Sequence, residues 1–342
     1  MIDKATSFIG NSYRFNNSLK KDSIHAVFLG ASVTCGYTDK GYVEDTFYKL
    51  FCDSFEKNFG IKATSEYVGF SGTSSLFGIY YTKSYIENVD ADIVFVDYAV
   101  NNERSMSGIA EFESLVRLLM NIKSKPTIIP VCVRTADDYS CEDYMLEISK
   151  HYGLSCITLA TAVSFGIENG IIDWGKYSPD GVHPGQWGHS FINDCIIHSL
   201  LKMKDTFSDD FEIKEPLFSD AYKNTHFPKE NITLQGFLYT SDYNYIENDV
   251  SDLNTPHSIF IKGNFSKVFG IYEIFHGDEY GACDVILNGE HINVINSKSI
   301  FGWMTPKDIR IIDLSESSYN ELELRITKSS AKKVFKIKLM IS

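Results

Sequence analysis

The chain holds the parts of an activated oxygen nucleophile: a serine closing a short apolar run, and a histidine with an aspartate three residues before it. The serine is Ser32, in the stretch Ile24–Gly36 (I-H-A-V-F-L-G-A-S-V-T-C-G). Small residues at Gly30 and Ala31 allow a sharp turn there and leave one hydroxyl at the carboxyl end of a strand. The histidine is His183, in the Pro/Gly-rich stretch Ser178–His189 (S-P-D-G-V-H-P-G-Q-W-G-H), which also carries Asp180. If the two stretches meet in space, His183 takes the Ser32 proton through Nε2 and Asp180 fixes the imidazole tautomer through Nδ1–H. Acyl transfer also needs donors for an oxyanion. Gly72, in G-F-S-G-T-S-S, lets a backbone N–H come close, and Asn101, in Y-A-V-N-N, offers a side-chain amide. Ser32, Gly72 and Asn101 are therefore the expected oxyanion hole, and Ser32, Asp180 and His183 the expected catalytic residues.

Elements that could position these groups alternate along residues 24–203. The first apolar run (Ile24, Ala26–Leu29) reads as a buried parallel strand, and Gly41–Phe59 as an amphipathic helix with Val43, Phe47, Leu50, Phe51 and Phe55 on one face. A strand follows at 63–68, a helix at 76–87, a strongly apolar strand within 92–102 and a helix bearing Ile109, Phe112, Leu115, Leu118 and Leu119. Another strand at 126–133, a helix at 141–152, a short strand near 156–159 and a helix over 186–203 complete the series. Strands alternating with helices predict a doubly wound, flavodoxin-like parallel sheet. Each candidate group then falls after a strand or in a loop at the carboxyl edge, where open α/β sheets bind ligands.

Beyond about residue 204 the pattern changes to period two, as in S-I-F-I-K-G-N-F, D-V-I-L-N-G-E-H-I-N-V-I and K-V-F-K-I-K-L, and Asn288-Gly289 is a hairpin signal. The expected organisation is an α/β domain over 1–206 and an antiparallel, jelly-roll-like β-sandwich over 207–342, a candidate carbohydrate-binding domain, with Phe207–Phe218 as connector. Tyr239, Tyr243, Tyr245, Tyr272, Phe275, Tyr280 and Trp303 are candidates there for stacking on sugar rings, although aromatics also fill sandwich cores. A net charge of −13 argues against nucleic acid or an anionic membrane surface as partner. No run approaches a membrane helix, and residues 1–20 show no export signal. Seven scattered cysteines without a C-x-x-C, and nine histidines without paired ligand spacing, fit reduced thiols in a cytoplasmic protein with neither metal nor cofactor.

Taken together, these segments resemble the SGNH hydrolase superfamily, the GDSL-type esterases and lipases. G-A-S-V-T-C-G is similar to the family's first block and Y-V-G-F-S-G-T-S to its second. Y-A-V-N-N resembles the third and D-G-V-H-P the last, and all four occur in family order. The resemblance implies Ser32 as nucleophile and oxyanion donor, Gly72 and Asn101 as the other donors, and His183 with Asp180 as the base pair. Departures are Ala31 for the first block's common Asp, Tyr67 for the second's Asn, Ala99 for the third's Gly and Asn102 for its Asp. Asn102 carries no charge, so any bracing there becomes a neutral hydrogen bond. The addition of a β-sandwich resembles carbohydrate-active esterases, implying removal of an O-acetyl group from an oligosaccharide. An O-acyltransferase of polysaccharide synthesis and a non-catalytic glycan-binding protein are the alternatives. Each residue also has a duller role: Ser32 as a turn serine, Asn101 as a helix cap, Asp173-Trp174 as loop packing, Glu103 and Arg104 as a surface pair, His189 as a structural group.

Overall fold

The computed structural model describes residues 1–209, 212–240, 245–251, 256–299, 305–330 and 333–342. It divides into two compact units, Met1–Asp220 and Ala221–Ser342.

In the first unit, strands Ser23–Gly30, Lys62–Gly69, Ile93–Asp97 and Thr127–Pro130 form a parallel sheet in the spatial order second, first, third, fourth. That is the doubly wound order expected. Ile24, Ala26–Leu29 and Ile93–Val96 are all buried, because helices cover both faces of the sheet. Ala26, Phe28, Ile93, Phe95 and Ile129 share one cluster with Phe47, Phe51 and Phe55 of helix Phe47–Phe59 and with Ile192, Ile196 and Leu200 of helix Gln186–Lys204. Phe28 stacks on Phe95 with ring centroids 4.6 Å apart. Each such side chain contributes about 1.5–3 kcal/mol by leaving water.

Several boundaries differ from the sequence reading, each for a local reason. The helix expected from Gly41 begins at Phe47, because residues 37–42 form a small hairpin, Tyr37–Thr38 against Gly41–Tyr42. The third strand stops at Asp97, where it pairs with Gly30 at the end of the first. Residues 98–102 then turn back, with the N–H groups of Asn101 and Asn102 both donating to the Tyr98 carbonyl. The strand expected near 156–159 is reduced to two isolated bridges, Cys156 with Phe8 and Ile157 with Val131, since helix Leu159–Glu168 begins at once.

The boundary between units lies after Asp220 rather than at the expected 206/207. Glu113, fully buried on helix Met106–Asn121, accepts hydrogen bonds from the N–H groups of Leu217, Phe218 and Ser219 (2.5, 2.8 and 2.8 Å) and from the Tyr152 hydroxyl (2.6 Å). Arg117, a turn further on, pairs with Asp220 at 3.0 Å. The connector thus belongs to the first unit.

Among the described residues of the second unit, eight strands pair antiparallel in one hydrogen-bonded sheet, with two isolated parallel bridges, Phe275 to Lys298 and Tyr280 to Val334. Strand Ser258–Ile274 pairs along its length with Thr305–Ile326, and on its other side first with Ile232–Gln235 and then with Lys336–Ile341. Register shifts at Phe265/Lys267 and Val268/Phe269 bend the long strands. Ile259, Ile261, Phe265, Val285, Leu324 and Ile337 lie in its single apolar cluster. Asn288 and Gly289 form the expected hairpin turn with φ of 51° and 85°. Of the candidate stacking residues, Tyr239 is exposed and Tyr272 is buried; Tyr243 and Trp303 lie outside the described residues.

Candidate active site

Ser32 opens a single helical turn, Ser32–Cys35, directly after the first strand. Gly36 ends that turn with φ 81°, a left-handed conformation that suits glycine, and its N–H donates to the carbonyls of Ser32 and Val33. The distant loop 178–185 reaches the same place. His183 Nε2 lies 3.0 Å from Ser32 Oγ, and His183 Nδ1 lies 3.1 Å from Asp180 Oδ2. The side chains of His183 and Asp180 are mostly buried.

The loop is built to hold that geometry. Asp180 Oδ1 accepts from the N–H groups of Val182 and His183, both at 2.7 Å, and Oδ2 also accepts from the Asp39 N–H at 3.1 Å. Burial pushes the Asp180 carboxyl up, but the three backbone donors and the His183 ring outweigh it, and the group is held below the ordinary aspartate range. The Ser178 hydroxyl lies within 2.9 Å of the Asp180 carbonyl and 2.6 Å of the His183 carbonyl, and Trp174 Nε1 donates to the Asp180 carbonyl at 2.6 Å. Trp174 therefore packs the loop. Tyr37 meets the His183 ring edge to face, 5.1 Å between centroids. Asp39, Ser178 and Tyr37 carried no signal in the sequence beyond, for Ser178, a hydroxyl residue two positions before the aspartate.

The second and third loops close on the same edge. Gly72 is exposed, with φ 75°. Its neighbour Ser71 places Oγ 3.6 Å from Cys35 Sγ on the nucleophile turn, and the Tyr67 hydroxyl donates to the Ala31 carbonyl at 3.3 Å. Asn102 ties the third loop to the second: its Oδ1 accepts from the Ser75 N–H (2.9 Å) and its Nδ2 donates to Ser75 Oγ (2.8 Å). With the amide as donor the Ser75 hydroxyl accepts; an aspartate there would instead accept from that hydroxyl. Asn101 is half-buried in that turn, and the cap of the following helix is Ser105, whose Oγ accepts from the Gly108 N–H. Arg104 pairs with Asp143 at the surface. His189 is fully buried, stacks on Phe47 and accepts the Phe47 N–H through Nδ1; burial lowers its pKa to about 4 and keeps it neutral. Among the described residues, no three His, Cys, Asp or Glu side chains are grouped to hold a metal ion.

No protein-family model matches the chain, and no curated protein matches it in sequence. Solved structures do. A two-domain esterase (CEX) active on acetylated mannans, crystallised with mannopentaose, aligns with 100% of this chain and 97% of its own, at TM-score 0.82 and 19% identity. The same description without the sugar aligns at TM-score 0.83 and 19% identity, over 100% and 98% of the two chains. Axe2, an acetylxylan esterase from Geobacillus stearothermophilus, aligns with 52% of this chain and 94% of its own, at 14% identity and TM-score 0.42. The fold expected from the sequence, an α/β unit followed by an all-β domain, is the fold of the two-domain esterase.

Proposed function

We propose that the protein is a serine esterase that removes O-acetyl groups from an oligosaccharide, and that acetylated manno-oligosaccharides are its substrate class. The observation that carries the reading is the continuous relay from Ser32 Oγ through His183 to Asp180, at 3.0 and 3.1 Å. In it, Ser32 Oγ attacks the acetyl carbonyl as His183 Nε2 takes its proton, and the imidazolium gives that proton to the departing sugar oxygen. Water then repeats the sequence on the acetyl-enzyme, releasing acetate. The negative charge on the former carbonyl oxygen is met by the Ser32 and Gly72 N–H groups and the Asn101 amide. The substrate class rests on the neighbour active on acetylated mannans, whose fold both units share.

The test compares wild type with Ser32→Ala and His183→Ala on p-nitrophenyl acetate and butyrate, then on acetylated manno- and xylo-oligosaccharides with acetate release as readout. Loss of turnover in both variants and preference for the manno-series are expected. Undiminished turnover by Ser32→Ala overturns the nucleophile; acetyl transfer to an added sugar without acetate release assigns the protein to the acyltransferases instead.

A further inference from the structure

Behind the nucleophile turn lies a carboxyl group that the relay does not use. Asp97 ends the third strand in register with Gly30, the last residue of the first strand, and is buried at 3% exposure. Its Oδ2 accepts a hydrogen bond of 2.8 Å from Thr34 Oγ1, on the same helical turn as Ser32. Oδ1 has no hydrogen-bond partner among the described residues. The pair fills the gap between the two strand ends: a Cβ added at Gly30 would sit 2.2 Å from Thr34 Oγ1 and 3.1 Å from the Asp97 Cβ. The titratable groups that feel Asp97 are Tyr67 from the second strand, Cys132 just beyond the fourth, and Tyr177 from the turn before the His183 loop. None of these is a cation, and Thr34 is the only bonding partner that favours the ionised form.

We propose that Asp97 is a positioning residue for the nucleophile: its carboxyl fixes Thr34 and with it the Ser32 turn, and a negative charge on that carboxyl switches the esterase off. This rests on the esterase reading. A carboxylate buried here without a counter-ion places negative charge behind the Ser32 turn, in surroundings that screen it poorly, and so disfavours further negative charge developing at Ser32. Burial pushes the Asp97 pKa up to about 7, with the Thr34 hydroxyl pulling the other way, so the switch falls near neutrality. Because the folded-state value is raised, the neutral acid's contribution to stability is complete below the ordinary aspartate range and is lost as pH rises through about 7.

Two measurements test it. The first is kcat/KM for p-nitrophenyl acetate across pH for wild type and Asp97→Asn. Wild type should fall as Asp97 ionises, and the variant should lose that fall. With the ionised form inactive, wild type sits about ten-fold below the variant one pH unit above the midpoint. A falling limb unchanged in Asp97→Asn, or none in wild type, overturns the proposal. The second is carbon-13 NMR of aspartate-labelled protein, which needs neither turnover nor the variant. A carboxyl resonance titrating near neutrality is expected in both wild type and Ser32→Ala. If every aspartate titrates in the ordinary acid range the proposal fails, while an active Ser32→Ala would remove the esterase reading and leave this titration standing.

Discussion

Asp180 uses each oxygen for a different purpose. Oδ1 takes the N–H groups of Val182 and His183 and so shapes the loop, while Oδ2 faces the His183 ring. The base is thereby oriented by the same group that folds its backbone. Among the described residues the Asn101 side chain makes no such structural tie, which makes it the cleaner probe of the proposed oxyanion hole. Asn101→Ala should lower kcat by about 10²–10³-fold, or roughly 2.7–4 kcal/mol of barrier, with circular dichroism unchanged. Tyr42 offers a probe of substrate recognition. It is 72% exposed and packs edge to face on Tyr37, which in turn packs on His183, so it lies one ring removed from that histidine. Tyr42→Ala should raise KM for an acetylated oligosaccharide several-fold through loss of ring stacking, and leave p-nitrophenyl acetate turnover unaltered. Steady-state kinetics on both substrates reads the difference.

At the scale of elements, the site depends on loops that are tied to one another rather than to the sheet alone. The Asn102–Ser75 amide and hydroxyl bonds join the second and third loops, and the Trp174 and Ser178 bonds hold the fourth. Helix Met106–Asn121 reaches in the opposite direction, to the connector. Removing the Glu113 carboxylate leaves the N–H groups of Leu217, Phe218 and Ser219 without their acceptor at a part-buried site. Glu113→Ala should therefore cost about 3 kcal/mol or more in chemical denaturation and expose the connector to limited proteolysis. Cleavage no faster than in wild type would show that the clasp is not what holds residues 217–219.

For the whole molecule, two compact units, each with buried apolar clusters of its own, predict that unfolding is not a single two-state event. Differential scanning calorimetry should give a total enthalpy well above the van't Hoff value; equality would mean the units melt together. Much of this organisation was legible in the chain. The alternation of apolar strands with 3.6-period helices predicted the doubly wound sheet, and Asn288-Gly289 with period-two flanks predicted the β hairpin, because both signals are local. Ser32, Asp180 and His183, which the structure brings within hydrogen-bond distance, stand at a strand end or in a loop with a recognisable neighbourhood. The hairpin 37–42, the end of the third strand at Asp97 and the attachment of the connector were not. They are decided by what packs across the fold: Tyr37 on His183, Gly30 beside Asp97, Glu113 beneath residues 217–219.

That division has a physical cause. Side-chain type and periodicity determine which segments bury which faces, and so they determined the strands, the helices and the positions of chemistry-bearing residues. The distance from Ser32 to His183, separated by 151 positions, is a property of loop closure over a finished sheet, as is the isolation of Asp97 from water and from any cation among the groups that feel it. Hydrogen-bond relays and shifted pKa values arise from neighbours that chain order does not reveal, and only the tertiary structure supplies them.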